Sequence, residues 1–463
     1  MAEPKNKLTF HKYLSTQVTL PWKGFSLQGD NLLFHGIPLA ETAGKYDTPF
    51  RLTWLPKIGK QVNYGKNIFQ RVMEQAGYSG RYHYCYCTKC NHYSHVLREV
   101  LAHGAGLETS SPADIDLVLR LHKENLFGQD HPLVHNGYKG KEYLEKIWKL
   151  HRAGFTRSIT VLDSGSELER LEATAPVGPV PLGIRMSASE GSRFGIPPGE
   201  ILPLYRERIR HNSRFRLQML HFFVDSGISD TAGYWKIFDR ALGLYVALRK
   251  EAPDLNALNI GGGFPIPWRL GETFDYEDMA DKIVQRIKKA CQRENVPEPD
   301  LYTEFGRFTV GESGAVILKV VDVKPQDGET WYIIDSSLVN TVPDAWILKQ
   351  PFILLPLNHW DRPVQPVRLG GISCDHTDFY EPGGSLLLPV TEPDDADPLY
   401  IGFFHTGAYQ DAISGYGGAK HCLVPPLPQV LAEPGPGGKP VFHLFDNLPD
   451  TEGTLDLLGY SPA

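Results

Sequence analysis

Cysteine is scarce, with six residues in a chain of 463, and three of them are bunched at Cys85, Cys87 and Cys90. That distribution excludes the spaced framework of a disulfide scaffold and points to a reducing cytoplasm. No apolar stretch is long enough to span a membrane. The segment Met1 to Lys7 is polar and lacks the apolar core that a secretory signal needs. No long basic run stands out among 47 basic and 54 acidic residues, and the formal net charge is -7. A nucleic-acid footprint is therefore missing, and neither nucleic acid nor a membrane is an expected partner. What these absences leave is small-molecule chemistry.

The chain has ample material for cores, being 41% hydrophobic and 22% charged. From about Gly80 to Val310, short apolar or β-branched runs alternate with longer amphipathic stretches, the pattern of repeated β-α units. Eight strands are expected, near Tyr82 to Lys89, Ala105 to Glu108, Pro132 to Asn136, Ser158 to Asp163, Pro181 to Met186, Met219 to Val224, Leu255 to Ile260 and Asp300 to Glu304. Eight such units close most economically into a TIM-like (β/α)8 barrel. Ser111-Pro112-Ala113-Asp114 offers an N-cap, a proline at the first helical position and an acid at the third. Between Asp278 and Arg293, Met279, Ile283, Val284 and Ile287 fall on one helical face. After about Gly311 the runs shorten and are broken by Pro and Gly, which predicts a mostly β second domain. Strand-like runs near Asn31 to His35 and Phe50 to Trp54 are expected to join that C-terminal sheet. The expected division is thus an α/β barrel over residues 55–310 and a discontinuous β domain over 1–54 and 311–463. Pro425 to Pro440 reads as turns or a surface loop.

Barrel enzymes carry their chemistry at the C-terminal strand ends. Lys89 closes the first expected strand, Glu108 the second, Asn136 the third and Asp163 the fourth, while Arg185 lies near the end of the fifth. Strand alternation places His83, Cys85, Cys87 and Lys89 on one face. If that face is the interior, Lys89 is partly desolvated and its nucleophilic amine is favoured, although an exposed strand-end lysine is the simpler account of position alone. Gly261-Gly262-Gly263 after the seventh strand and Arg307 after the eighth match the two loops that build phosphate sites in such barrels, and Ser226 could add a hydroxyl. Glu304 would suit a pyridine nitrogen, which a carboxylate keeps protonated, or would pair with Arg307. Cys87 and Cys90 with His92 and His95 raise a structural zinc site, which ranks below buried structural cysteines; no metal is expected.

Six motifs together resemble one family: Tyr86-Cys87-Thr88-Lys89-Cys90-Asn91, Gly106-Leu107-Glu108, Ile260-Gly261-Gly262-Gly263-Phe264-Pro265, Glu304-Phe305-Gly306-Arg307, Ser373-Cys374-Asp375 and Gly407-Ala408-Tyr409. They resemble the fold-type III pyridoxal-phosphate decarboxylases of basic amino acids. The resemblance implies that Lys89 carries the cofactor, that Glu304 faces its pyridine nitrogen, and that Ser226, Gly262, Gly263, Arg307 and Tyr409 hold its phosphate. It further implies that Cys374 is a proton donor, that Asp375 meets the distal cationic end of the substrate, and that a homodimer shares its active sites. Glu108 lines the cofactor site or pairs with a neighbouring strand end.

The run Ser337 to Trp346 looks most like biosynthetic arginine decarboxylases, which turn arginine into agmatine for polyamine biosynthesis. Asp344, Asp375 and Asp378 are carboxylates that would pair a guanidinium, and would also accept an ammonium. Ornithine, lysine or diaminopimelate as substrate, and a catalytically silent regulatory homologue, are the alternatives. The sequence departs from the family where Phe223 replaces the usual histidine stacked on the ring, and where Asp225 replaces a glycine near the phosphate.

Overall fold

In the computed structural model the described residues are 8–460, apart from 225, 226, 229, 230, 382, 384, 385, 394, 446 and 447. They fall into two compact units. One is an α/β barrel of Ile58–Pro265 and Phe274–Thr309; the other is mostly β and takes in the chain up to Lys57, Ile266–Thr273 and the chain from Val310.

Eight strands close the barrel: β1 (Tyr82–Cys87), β2 (Gly106–Thr109), β3 (Leu133–His135), β4 (Ser158–Leu162), β5 (Val180–Met186), β6 (Phe215–Phe222), β7 (Ala257–Asn259) and β8 (Asp300–Phe305). Every neighbouring pair is parallel, β5–β6 and β8–β1 included. Cys85, Val134, Ile159, Val161, Met219, Ala257 and Tyr302 pack together as a buried cluster of strand side chains, so the barrel is filled rather than hollow. The opposite face of β1 meets helices: Tyr82 stacks on Phe69 of the helix Leu55–Ala76 with ring centroids 4.6 Å apart. Local signals act as expected, since the Ser111 hydroxyl accepts the Asp114 N–H at 3.2 Å and caps the helix Pro112–Lys123. Met279, Ile283, Val284 and Ile287 are buried along the helix Tyr276–Glu294. One boundary differs in a way that matters. β1 ends at Cys87, and Thr88–Cys90 turn into a 3-10 helix, so strand alternation does not place Lys89. The turn does.

In the β unit, the long strand Gly314–Gln326 pairs along its first half with Phe50–Trp54 and Tyr400–Phe404 and along its second half with Glu329–Ile334. Its alternate side chains enter two cores, Ala315 and Ile317 into one and Val316, Leu318 and Val320 into the other. Two expectations are corrected here. Asn31–Phe34 does not join this sheet; it forms a separate three-stranded antiparallel sheet with Phe25–Gln28 and Ile37–Pro38, because the tight turn at Gly29 (φ +61°) sets it directly beside its neighbour in sequence. Pro425 to Pro440 is not a loop throughout, since Gln429–Pro434 pairs in parallel with Phe50–Trp54. Its apolar run of Val430, Leu431 and Ala432 is hidden in the sequence by flanking prolines and glycines.

A buried ion pair fixes the loop that follows β3. Lys139 Nζ donates to Gly137 O at 2.8 Å, Val161 O at 2.5 Å and Glu167 Oε1 at 3.1 Å, with both charged side chains fully buried. Burial lowers the Lys139 pKa, and Glu167 opposes that fall. Lys139→Ala would leave the Glu167 charge buried and unpaired, so we expect a loss of about 3–5 kcal/mol in urea denaturation; a loss under about 1 kcal/mol would show that the pair does not fix this loop.

Candidate active site

Lys89, Glu108, Asn136, His221, Asn259 and Glu304 converge at the C-terminal ends of β1, β2, β3, β6, β7 and β8. Lys89 Nζ donates to Glu108 Oε2 at 2.7 Å; the lysine side chain is 44% exposed and the glutamate is fully buried. The Asn136 amide nitrogen donates to Glu108 Oε1 at 3.1 Å and to both oxygens of Glu304 at 3.0 and 2.9 Å. The Asn259 amide donates to Glu304 Oε1 at 2.7 Å, and His221 Nε2 lies 3.3 Å from Glu304 Oε2. Two buried carboxylates are thus joined through one amide, each with its own cationic or imidazole neighbour.

Their environments drive the two acids apart. For Glu304, burial opposes ionisation, but His221, Lys89 and Asn136 outweigh it and hold the carboxyl at about 2. For Glu108, burial dominates over the Lys89 charge, the Glu304 charge adds to it, and the pKa rises.

The loops after β6 and β7 meet beside this network. Gly261, Gly263 and Gly227 have φ of +65°, +110° and +64°, which side-chain-bearing residues rarely adopt. Gly262 is required for space, because a Cβ there would collide with the backbone oxygen of Glu304. Ile228 N donates to Gly263 O at 3.2 Å and ties the two loops together. Phe223 follows β6 and is half-buried, with its ring beside Gly261. Arg307 opens the short helix Arg307–Val310 immediately after β8. Ser226 and Asp225 lie outside the described residues.

This arrangement fits pyridoxal phosphate. An accessible amine stands on a buried carboxylate, a second carboxylate stays ionised, and the turn of Gly261, Gly262 and Gly263 lies at the end of the strand next to the one that carries Glu304. Among the described residues, His221 Nδ1 and Asn136 Oδ1 are buried and have no hydrogen-bond partner, so polar atoms remain for a ligand.

The remaining expected residues belong to the β unit. Cys374 is exposed, with its Sγ 3.2 Å from Cys422 Sγ, and that neighbouring sulfur raises its pKa. Asp375 is half-buried and accepts from Thr377 N at 2.8 Å and Thr377 Oγ1 at 2.7 Å, while Oδ2 lies 3.8 Å from His421 Nε2. Tyr409 is half-buried at φ +70° before the helix Gln410–Ser414. Asp344 is buried beside Gln410, whose amide donates to it at 3.2 Å. Asp378 is buried, and its two oxygens accept from Leu338 N, Val339 N, Ser373 N and Ser373 Oγ at 2.6–3.2 Å, which ties its loop to the segment of Leu338 and Val339. Among the described residues, Cys87, Cys90, His92 and His95 do not come together as a metal-holding group; Cys87 Sγ donates to Glu304 O at 3.2 Å. Asp163 and Arg185 also take structural tasks, Asp163 accepting Gly195 N at 3.1 Å and Arg185 lying over the Phe194 ring.

Sequence reasoning assigned no part to His221 or Asn259 and noted Asn136 only as a strand end. The missing signal was positional, since His221 and Asn259 sit at the end of a barrel strand and Asn136 just past one, where side chains point to a shared centre.

Residues 66–311 match the family described as pyridoxal-dependent decarboxylase, pyridoxal binding domain. A curated relative, the biosynthetic arginine decarboxylase of Prochlorococcus marinus, is 22% identical over 79% of this chain and 76% of its own. Two solved structures share the fold. The biosynthetic arginine decarboxylase of Campylobacter jejuni has a TM-score of 0.81 at 20% identity, covering 98% of this chain and 91% of its own. The diaminopimelate decarboxylase of M. jannaschii, in complex with L-lysine, has a TM-score of 0.80 at 19% identity, covering 95% and 98%.

Proposed function

Because the chain belongs to the pyridoxal-dependent decarboxylases, and is thus a pyridoxal-phosphate-dependent carboxy-lyase, we propose that it decarboxylates L-arginine to agmatine, a step of polyamine biosynthesis. The observation that carries the reading is the ionised, fully hydrogen-bonded Glu304 beside the Lys89–Glu108 pair at the barrel strand ends. The choice of arginine is supported by curated relatives named biosynthetic arginine decarboxylase that align with about four-fifths of the chain.

Each residue has a physical task. Pyridoxal phosphate, when bound, supplies a carbonyl carbon for the substrate amine and a ring that takes up the electron pair left by carbon dioxide. Lys89 holds the cofactor through its amine, and Glu108 beneath it fixes where that amine sits. Glu304 holds a proton on the ring nitrogen, and Asn136, Asn259 and His221 keep the glutamate ionised and oriented. Gly262, Gly263 and Arg307, with Ser226 and Tyr409 as the family resemblance implies, would hold the phosphate, and Phe223 would offer the ring an apolar face. Cys374 returns a proton to the substrate's α-carbon. Asp375 pairs the guanidinium, its side chain keeping 27% of its exposure. Asp344, buried beside Gln410, supports that region.

The test is mass spectrometry of products after incubating the protein and pyridoxal phosphate with arginine, ornithine, lysine and diaminopimelate. Agmatine is expected, abolished by Lys89→Ala and reduced roughly 10²–10⁴-fold by Cys374→Ala. A different single amine would move the substrate, and no amine despite bound cofactor would favour a regulatory homologue.

The same proposal includes a homodimer in which Cys374 of one protomer serves Lys89 of the partner subunit. Co-expressing Lys89→Ala with Cys374→Ala chains should then restore about a quarter of wild-type activity, since mixed dimers keep one intact site; activity no higher than the separate variants would contradict sharing.

A further inference from the structure

The β unit holds a cluster of thiols and an imidazole. The donor atoms of Cys374, His421 and Cys422 all lie within 4.8 Å of one another, and the two sulfurs are 3.2 Å apart. The cysteines are 48 positions apart in sequence, so the fold and not a short motif brings them together. Both segments are held in place. Asp378 grips the first through Ser373, and the Asn340 amide donates to His421 O at 2.9 Å. Cys422 and Leu423 adopt φ of +56° and +50°, left-handed conformations that a side-chain-bearing residue keeps only where the surroundings impose them.

We infer that Cys374, His421 and Cys422 form a binding site for a thiophilic divalent cation, zinc above all. Two thiolates and an imidazole are the donor set that selects zinc over magnesium or calcium. Bonds of about 2.0–2.3 Å in a tetrahedron set donors roughly 3.3–3.8 Å apart, which these side chains reach with small rotations. Asp375 Oδ2 lies 3.8 Å from His421 Nε2 and adds a negative charge beside the cluster. Binding needs no oxidant: each thiol releases its proton to solvent as its sulfur–zinc bond forms. Three protein donors leave a fourth position for water.

The consequence rests on the reading of Cys374 as proton donor. A Cys374 sulfur held by zinc has no proton to give, so zinc binding switches turnover off.

Metal uptake and turnover test the two claims separately. The full chain with its cofactor, reduced with a phosphine, is incubated with zinc chloride, desalted and assayed for retained zinc. One zinc per chain is expected, lost in Cys422→Ser and in His421→Ala. Cobalt(II) in place of zinc should give a thiolate-to-metal absorption band that Cys422→Ser removes while the thermal transition stays. No zinc retained by the wild-type protein, or equal retention by both variants, would overturn the site. Retained zinc with undiminished amine production would uphold the site and remove Cys374 as the proton donor.

Discussion

Two carboxylates buried side by side repel each other and lose their hydration, so a fold that keeps both must supply each with a partner. Glu108 and Glu304 impose that requirement here, and the ends of six barrel strands are organised to meet it. Asn136 can present only its amide nitrogen to both acids, which fixes its orientation and leaves its oxygen free to face elsewhere. Lys89 answers one charge and His221 lies against the other. The asymmetry that results, one acid pushed up by burial and one held at about 2, is what a site needs if one carboxylate is to stay ionised against a ring nitrogen.

This requirement reaches outward into the scaffold. The position of Asn136 depends on the loop that the Lys139–Glu167 pair anchors against β4. Gly262 must lack a side chain because Glu304's own backbone oxygen occupies the space. Even Cys87 contributes, its thiol donating to the Glu304 carbonyl.

Much of the barrel was legible because its signals are local. Hydrophobic periodicity marked all eight strands within a few residues, and the Ser111 cap and the buried face of Tyr276–Glu294 follow from short-range rules. Lys89, Glu108 and Glu304 drew notice as polar residues at strand ends, where barrel chemistry sits, and the family resemblance gave them roles; the structure brings them together, with Lys89 aimed by a 3-10 turn and not by strand alternation. His221 and Asn259 were missed because a buried polar residue inside an apolar strand reads as noise until its partners are known. The strand Gln429–Pro434 was hidden by the prolines and glycines around it, and nothing local announces that two of the four donors to Asp378 come from as far away as Leu338 and Val339. The Cys374–Cys422 pair, 48 residues apart, is invisible to any reading of spacing.

The central claim is that Glu304 is kept ionised so that it holds a proton on the cofactor's ring nitrogen. Nitrogen-15 NMR of the protein loaded with ring-labelled pyridoxal phosphate tests it directly. The account predicts the shift of a protonated pyridine across the neutral pH range, moving to that of a neutral pyridine in Glu304→Gln. A neutral pyridine shift in the wild-type protein at neutral pH would contradict it.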